Sequence, residues 1–194
     1  AAIRAVARTA SYHGLKVSGY YRGYDGLMEG DSVGMTARSV KNTLAMGGTW
    51  LKSARSEAFR TVQGRVIAAK TLESDGVDAL VVIGGDGSFR GAQALSEEHG
   101  IPVIGIPGTI DNDLYGTDHS IGFDTAVNTV MHAVDKIRDT ANSHNRFFLV
   151  EVMGRDSGFI ALSAAIATGG MDAILPEVEY SVNELFETVR QGAK

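Results

Sequence analysis

The chain has 194 residues, 44% of them hydrophobic and 21% charged, with a formal net charge of −5. This is ordinary for a soluble fold with ample core, and the acidic balance argues against nucleic acid as a partner, which calls for a basic face. The absence of cysteine excludes disulfides, thiolate metal sites and a cysteine nucleophile and fits a cytoplasmic setting, and no apolar run is long enough to span a membrane.

Ile3, Val6 and Ala10 share one face of a predicted helix over residues 1–13, with Arg4 and Arg8 one turn apart on another. A strand is expected over 15–20, and a loop over 21–31, where glycines and acids favour turns. A short helix over 34–46 precedes the Gly47-Gly48 break, and residues 48–55 lead from a short extended piece into a loop. The pattern then predicts a helix over 57–75, a strand over 80–83, a helix over 87–98 and a strand over 103–106. Beyond these come a long helix over 123–142, carrying Val127, Val130, Val134 and Ile137, and a strand over 147–152. A small-residue helix over 159–168, a strand over 173–175 and a helix over 181–191 complete the series. Strand and helix alternate, which predicts an α/β fold with a mostly parallel sheet and helices on both faces. The β-branched runs at 80–83 and 103–106 suit strands buried on both sides. The chain opens inside a helix without an initiator methionine and with no strand before it, so it reads as an excerpt of a longer protein. The one plausible domain joint lies near Ile121-Gly122-Phe123, separating 1–122 from 123–194.

Two clusters carry the chemistry, each at the carboxyl end of a predicted strand, where α/β folds bind ligands. In Gly84-Gly85-Asp86-Gly87-Ser88, glycines let the backbone approach a polyphosphate and the next helix points its N-terminal amides at the anion. Asp86 is placed to hold Mg²⁺, directly or through water. The same residues also read as a glycine turn with Asp86 or Ser88 as helix cap. In Gly108-Thr109-Ile110-Asp111-Asn112-Asp113, a carboxylate can take the proton of an attacking hydroxyl, with its neighbour tuning its pKa or organising a metal. Here the alternatives are an Asx-turn with solvated acids and a loose Ca²⁺ loop. Arg55, Arg146 and Arg155 fall near loops and strand ends, where guanidinium groups suit phosphate. The five histidines have no zinc-ligand spacing, and Trp50 reads as a packing residue.

Val82-Ile-Gly-Gly-Asp-Gly-Ser88, Pro107-Gly-Thr-Ile-Asp-Asn-Asp113, Glu151-Val-Met-Gly-Arg155, Pro176-Glu177 and Gly47-Gly-Thr-Trp-Leu-Lys-Ser-Ala-Arg55 together resemble the 6-phosphofructokinase family, in collinear order over essentially the whole chain. The resemblance implies a Rossmann-like three-layer α/β/α fold with two lobes: residues 1–122 as most of the ATP-binding lobe, and 123–194 as the start of the substrate-binding lobe. It implies phosphorylation of fructose 6-phosphate at its 1-hydroxyl by ATP with Mg²⁺, in a cytoplasmic homotetramer. On that resemblance Asp111 is the general base, Asp86 organises Mg²⁺, and Tyr24, Arg55, Ser56, Gly85, Gly87 and Ser88 serve the nucleotide. Thr109, Ile110, Met153, Gly154 and Arg155 contact the sugar phosphate, Arg155 also stabilising transferred charge, and Asp113 supports the catalytic loop. Arg146 matches a residue that reaches the 6-phosphate in a neighbouring subunit's site, and Arg4, Arg8 and Arg138 match an effector pocket.

Pyrophosphate-dependent relatives typically place Asp at the position of Gly87 and Lys at that of Gly108, so the two glycines here point to ATP. Ala37 and Met171 depart from the common bacterial effector pattern. The family's opening strand, with its Thr-Ser-Gly-Gly-Asp loop, and its later sugar-phosphate residues are not in these 194 residues, so the chain alone is expected not to turn over. A pyrophosphate-dependent enzyme and a non-catalytic regulatory paralogue are the alternatives.

Overall fold

A computed structural model describes residues 1–192; positions 193 and 194, the end of the expected second lobe, lie outside the described residues. The chain divides into two compact units, Ala1–Ile106 and Pro107–Lys194.

The first unit opens with helix α1 (Ala2–Tyr12), followed by strand β1 (Val17–Tyr20). The expected loop over 21–31 contains instead a helix, α2 (Tyr24–Glu29). Its glycines are there for close approach as well as for turns: a Cβ on Gly26 would stand 1.7 Å from the Tyr21 carbonyl oxygen. The expected helix over 34–46 is also absent. Strand β2 (Ser32–Met35) pairs antiparallel with β1, Val17 opposite Met35 and Tyr20 opposite Ser32. Thr36 and Ser39 then exchange side-chain-to-backbone hydrogen bonds, each 3.2 Å, which compete with helix and turn the chain. Ala7, Met35 and Val40 form a small core there.

A 3₁₀ turn (Ala58–Arg60) leads into α3 (Val62–Ser74), so the single helix predicted over 57–75 is broken near its start. The break is Thr61, extended in backbone, whose hydroxyl accepts from the Gly64 amide at 3.0 Å as N-cap. Strand β3 (Leu80–Gly84), helix α4 (Asp86–His99) and strand β4 (Val103–Pro107) form a βαβ unit, with β3 and β4 neighbours in one parallel sheet. The Leu80 amide donates to the Pro102 carbonyl at 2.8 Å. The core collects Leu27, Phe59, Ala68, Leu72 and Leu95 from α2, the 3₁₀ turn, α3 and α4. The two strands are not buried on both sides: β3 is covered on alternate positions, leaving Val81 and Ile83 exposed, and on β4 Ile104 is exposed beside the equally exposed Gly105.

The second unit holds α5 (Phe123–His144), α6 (Phe159–Thr168) and α7 (Val182–Gly192). Phe123, Ile160 and Ala164 are buried in it. The segments expected as strands at 147–152 and 173–175 run as irregular chain among the described residues. A strand requires a hydrogen-bonded neighbour, and among the described residues of this unit none pairs with these segments; Phe147, Phe148, Leu149 and Val150 stay exposed. No helix among the described residues is long and apolar enough to cross a membrane.

Candidate active site

In the first unit the Gly/Asp cluster sits where β3 passes into α4. Gly84 ends the strand, Gly85 is the extended N-cap, and Asp86 is the first helical residue, with no side chain capping the free amides. That leaves amides and dipole available to an anion. The Asp86 carboxylate is half exposed and pairs with Arg90 one turn on at 2.9 Å, an i,i+4 arrangement. A Cβ at Gly84 would lie 2.6 Å from the Ser88 hydroxyl oxygen, so glycine there makes room for the Ser88 side chain. Gly87 is different: a Cβ would meet no atom within 4 Å. None of the described residues requires glycine at 87; the position faces open space.

Tyr24 reaches the same helix. Its hydroxyl donates to the Ser88 carbonyl at 2.5 Å, and its ring stacks on Phe59 at 3.7 Å, both rings lying against Gly91. Burial pushes the Tyr24 hydroxyl above its ordinary pKa, so it stays protonated as a donor at neutral pH. Ser56 accepts from the Phe59 amide at 3.3 Å and starts the 3₁₀ turn. Arg55 lies just before it, exposed, in an irregular stretch. Of the three arginines matched to an effector pocket, Arg8 is exposed on α1, while the Nε of Arg4 is buried with no hydrogen-bond partner among the described residues.

In the second unit the loop after β4 is held by its own side chains. Thr109 Oγ1 accepts from the Asp111 amide at 3.2 Å, and the Thr109 carbonyl accepts from the Gly122 amide at 3.1 Å. Asn112, at φ 55°, accepts through Oδ1 from the Ser120 amide at 2.7 Å and donates from Nδ2 to the Asp118 carbonyl at 3.2 Å. The Asp111 carbonyl accepts from the Ser157 hydroxyl at 2.9 Å. Asp111 is half-buried; among the described residues no donor engages its carboxylate, and Asp113 is exposed. Ser157 also ties this loop to the turn carrying Arg155, since its amide donates to the Gly154 carbonyl at 2.9 Å. Gly154 lies at φ 145°, where a Cβ would stand 2.2 Å from the Ser157 carbonyl oxygen, so only glycine fits. Arg155, at φ 56°, points its guanidinium into solvent, with the Asp156 carboxylate at 3.6 Å as its one ion-pair partner among the described residues.

Met153 is exposed beside Gly154, and Ile110 packs a methyl where a Gly122 Cβ would be. Arg146, exposed, follows the left-handed cap Asn145 at the end of α5. Arg138, the third effector candidate, donates to the Thr168 carbonyl at the end of α6 and so joins α5 to α6. The structure thus brings Tyr24 to Ser88 and Thr109 to Asp111, and Asp111 to the Arg155 turn through Ser157. Sequence reasoning gave no role to Arg90, Asn112 or Ser157. Arg90 was available from its i+4 spacing to Asp86, whereas Ser157 bonds a residue 46 positions away and left no local signal.

A family model for phosphofructokinase matches residues 1–194. The chain is 55% identical over 192 residues to ATP-dependent 6-phosphofructokinase 2 of Bacteroides thetaiotaomicron, covering 99% of this chain and 59% of that protein. It is 56% identical over 194 residues to the ATP-dependent 6-phosphofructokinase of a Thermoanaerobacter species, covering all of this chain and 60% of that one. Among solved structures, phosphofructokinase from Saccharomyces cerevisiae superposes with a TM-score of 0.90 at 39% identity, over 98% of this chain and 29% of that one. The chain therefore spans about three fifths of the length of the curated relatives it matches.

Proposed function

Since this chain belongs to the phosphofructokinase family, we propose that the full-length enzyme transfers the γ-phosphoryl group of ATP to the 1-hydroxyl of fructose 6-phosphate, giving fructose 1,6-bisphosphate and ADP. The observation that carries this reading is the Asp111 loop. Side chains fix both the amide and the carbonyl of Asp111, and its carboxylate remains free to act. In the transfer Asp111 takes the proton of the 1-hydroxyl as that oxygen bonds to phosphorus, and the bond from phosphorus to the β–γ bridging oxygen breaks. Arg155, held at the surface two residues from Ser157, supplies positive charge to the transferring group. Thr109, Ile110, Met153 and Gly154 shape the sugar-phosphate contacts, and Asp113 supports the loop. Arg146 serves the 6-phosphate of a neighbouring subunit's site in a tetramer.

The uncapped start of α4, with Gly85, Gly87 and Ser88, cradles the nucleotide phosphates, Arg55 and Ser56 contributing from the preceding loop. Tyr24 braces the first turn of that helix through the Ser88 carbonyl. The donor set fits Mg²⁺ of the kind held mainly by phosphate oxygens and water: Asp86 offers a single half-exposed carboxylate, and no cluster of three or more His, Asp or Glu is present among the described residues. When bound, the ion supplies neutralisation of phosphate charge. The open space at Gly87 supports ATP rather than pyrophosphate as donor, because no contact among the described residues calls for a glycine there. Residues 1–122 are assigned to the nucleotide lobe and 123–194 to the start of the substrate lobe of a cytoplasmic enzyme. Arg4, Arg8 and Arg138 are assigned to an effector pocket.

The test is a coupled assay of the full-length enzyme with fructose 6-phosphate and either ATP or pyrophosphate. Turnover with ATP and little with pyrophosphate supports the reading; preference for pyrophosphate, or no turnover with either, overturns it. The 194-residue chain alone is expected to yield no fructose 1,6-bisphosphate in the same assay.

A further inference from the structure

Helix α6 begins directly after the Arg155 turn, yet it brings no cap of its own. Gly158 is its N-cap, no side chain of the helix satisfies the free amides, and its first turn contains no acid. The carboxylate comes from nineteen residues further on: Glu177 Oε1 accepts from the buried Gly158 amide at 2.7 Å. This is a charge-assisted hydrogen bond at the positive end of a ten-residue helix. The fit is close on the carbon side too. A Cβ on Gly158 would lie 2.7 Å from Glu177 Oε2 and 2.9 Å from Leu175 Cδ2, so carboxylate and leucine fill the space that the missing side chain leaves.

Gly158 ends a turn whose backbone is otherwise unfavourable. Arg155 is a non-glycine residue at φ 56°, and Gly154 stands at φ 145°. Such conformations persist only where their surroundings fix them. The fixing bonds are few: the Ser157 amide to the Gly154 carbonyl, the Ser157 hydroxyl to the Asp111 carbonyl, and Glu177 on the Gly158 amide. Glu177 is the one among them that anchors the turn to a segment outside both loops.

We propose that Glu177 is a positioning residue for the reaction. By holding the Gly158 amide it fixes the exit of the turn that presents Arg155, and through Ser157 it keeps that turn in register with Asp111. The role rests on the phosphoryl-transfer reading of Asp111 and Arg155.

The experiment uses full-length enzyme and the variants Glu177→Ala and Glu177→Gln, with steady-state kinetics and hydrogen exchange of the 153–158 segment. Glu177→Ala is expected to lower kcat by about 10-fold, within the range for a displaced reacting group, with KM for ATP changed by less than about twofold, and to speed exchange at 153–158. Glu177→Gln keeps an acceptor oxygen and is expected to retain most of the rate and the protection. In an Arg155→Ala background the Glu177→Ala change should cost less than about a further twofold, since residues acting through one another are not additive. An equal loss in both backgrounds, or unchanged exchange at 153–158, overturns the proposal. If Glu177→Ala does not fold, Glu177→Asp, one methylene shorter, is expected to fall between Ala and Gln in rate and protection, and equality with wild type in both would overturn it. Absence of turnover in the wild type would count against the phosphoryl-transfer reading alone, because the exchange comparison judges Glu177 separately.

Discussion

At the β3–α4 junction the backbone is regular: a strand ends at Gly84, Gly85 is extended, and a fourteen-residue helix starts at Asp86. At 109–122 and 154–158 it is not, with Asn112 and Arg155 left-handed, Gly154 at φ 145°, and side chains rather than a helix or ladder holding the path. The proposed phosphate cradle is thus a product of the fold itself, as at other strand-to-helix turns. The carboxylate and arginine proposed for the transfer, Asp111 and Arg155, depend on a few specific hydrogen bonds between distant residues. Point changes should therefore act differently in the two places: those in the cradle should alter ligand use with little effect on stability, and those in the loops should disturb both.

The sharpest contrast is between two glycines. Gly154→Ala is expected to destabilise the full-length protein by about 3 kcal/mol, since it puts a Cβ against the Ser157 carbonyl in a conformation only glycine adopts. A urea midpoint close to that of the wild type would break the comparison. Gly87→Ala, in a helical position facing open space, is expected to stabilise by about 0.5–1 kcal/mol. The same methyl should lower kcat/KM for ATP by about 10-fold if a nucleotide fills that space. A variant equally stable or better, with undiminished ATP use, would remove Gly87 from the nucleotide site.

A smaller effect comes from a pair that belongs to the fold of the first unit rather than to either loop. Arg65 of α3 grips Glu98 of α4 through two hydrogen bonds of 2.7 Å and also donates to the Phe59 and Arg60 carbonyls. The side-chain hydrogen bonds from Arg65 are the main cause holding the Glu98 carboxyl below its usual range. A carboxyl lowered on folding stabilises above its unfolded pKa of about 4.3, and that contribution fades as pH falls through the lowered folded value. The difference in urea midpoint between wild type and Glu98→Gln should accordingly be constant near neutrality and shrink below about pH 4. A difference that grows as the pH falls below about 4 would contradict the sign.

What could be read beforehand follows the same division. The strand–glycine–helix sequence from Leu80 to His99 was legible because every signal in it is local: a β-branched run, glycines, then a helical pattern. Asp111 stood out as a carboxylate in a loop at a strand end. Helix α2 was hidden because Gly23, Gly26 and Gly30, which read as turn residues, bracket or admit a short helix. Strand β2 was hidden because its pairing with β1 is tertiary, and the turn made by Thr36 and Ser39 has the spacing of a helix start. Ser157 and Glu177 act across 46 and 19 residues, and no periodicity in the sequence connects such positions.

Asp111 is the residue on which the proposed transfer depends most directly. In the full-length enzyme, Asp111→Ser should lower kcat with ATP and fructose 6-phosphate by at least about 10²-fold, the low end for a positioned general base, while KM for ATP stays within about twofold. A near-normal kcat would contradict the assignment of the base and with it the chemical role given to the loop that Thr109, Asn112 and Ser157 hold in place.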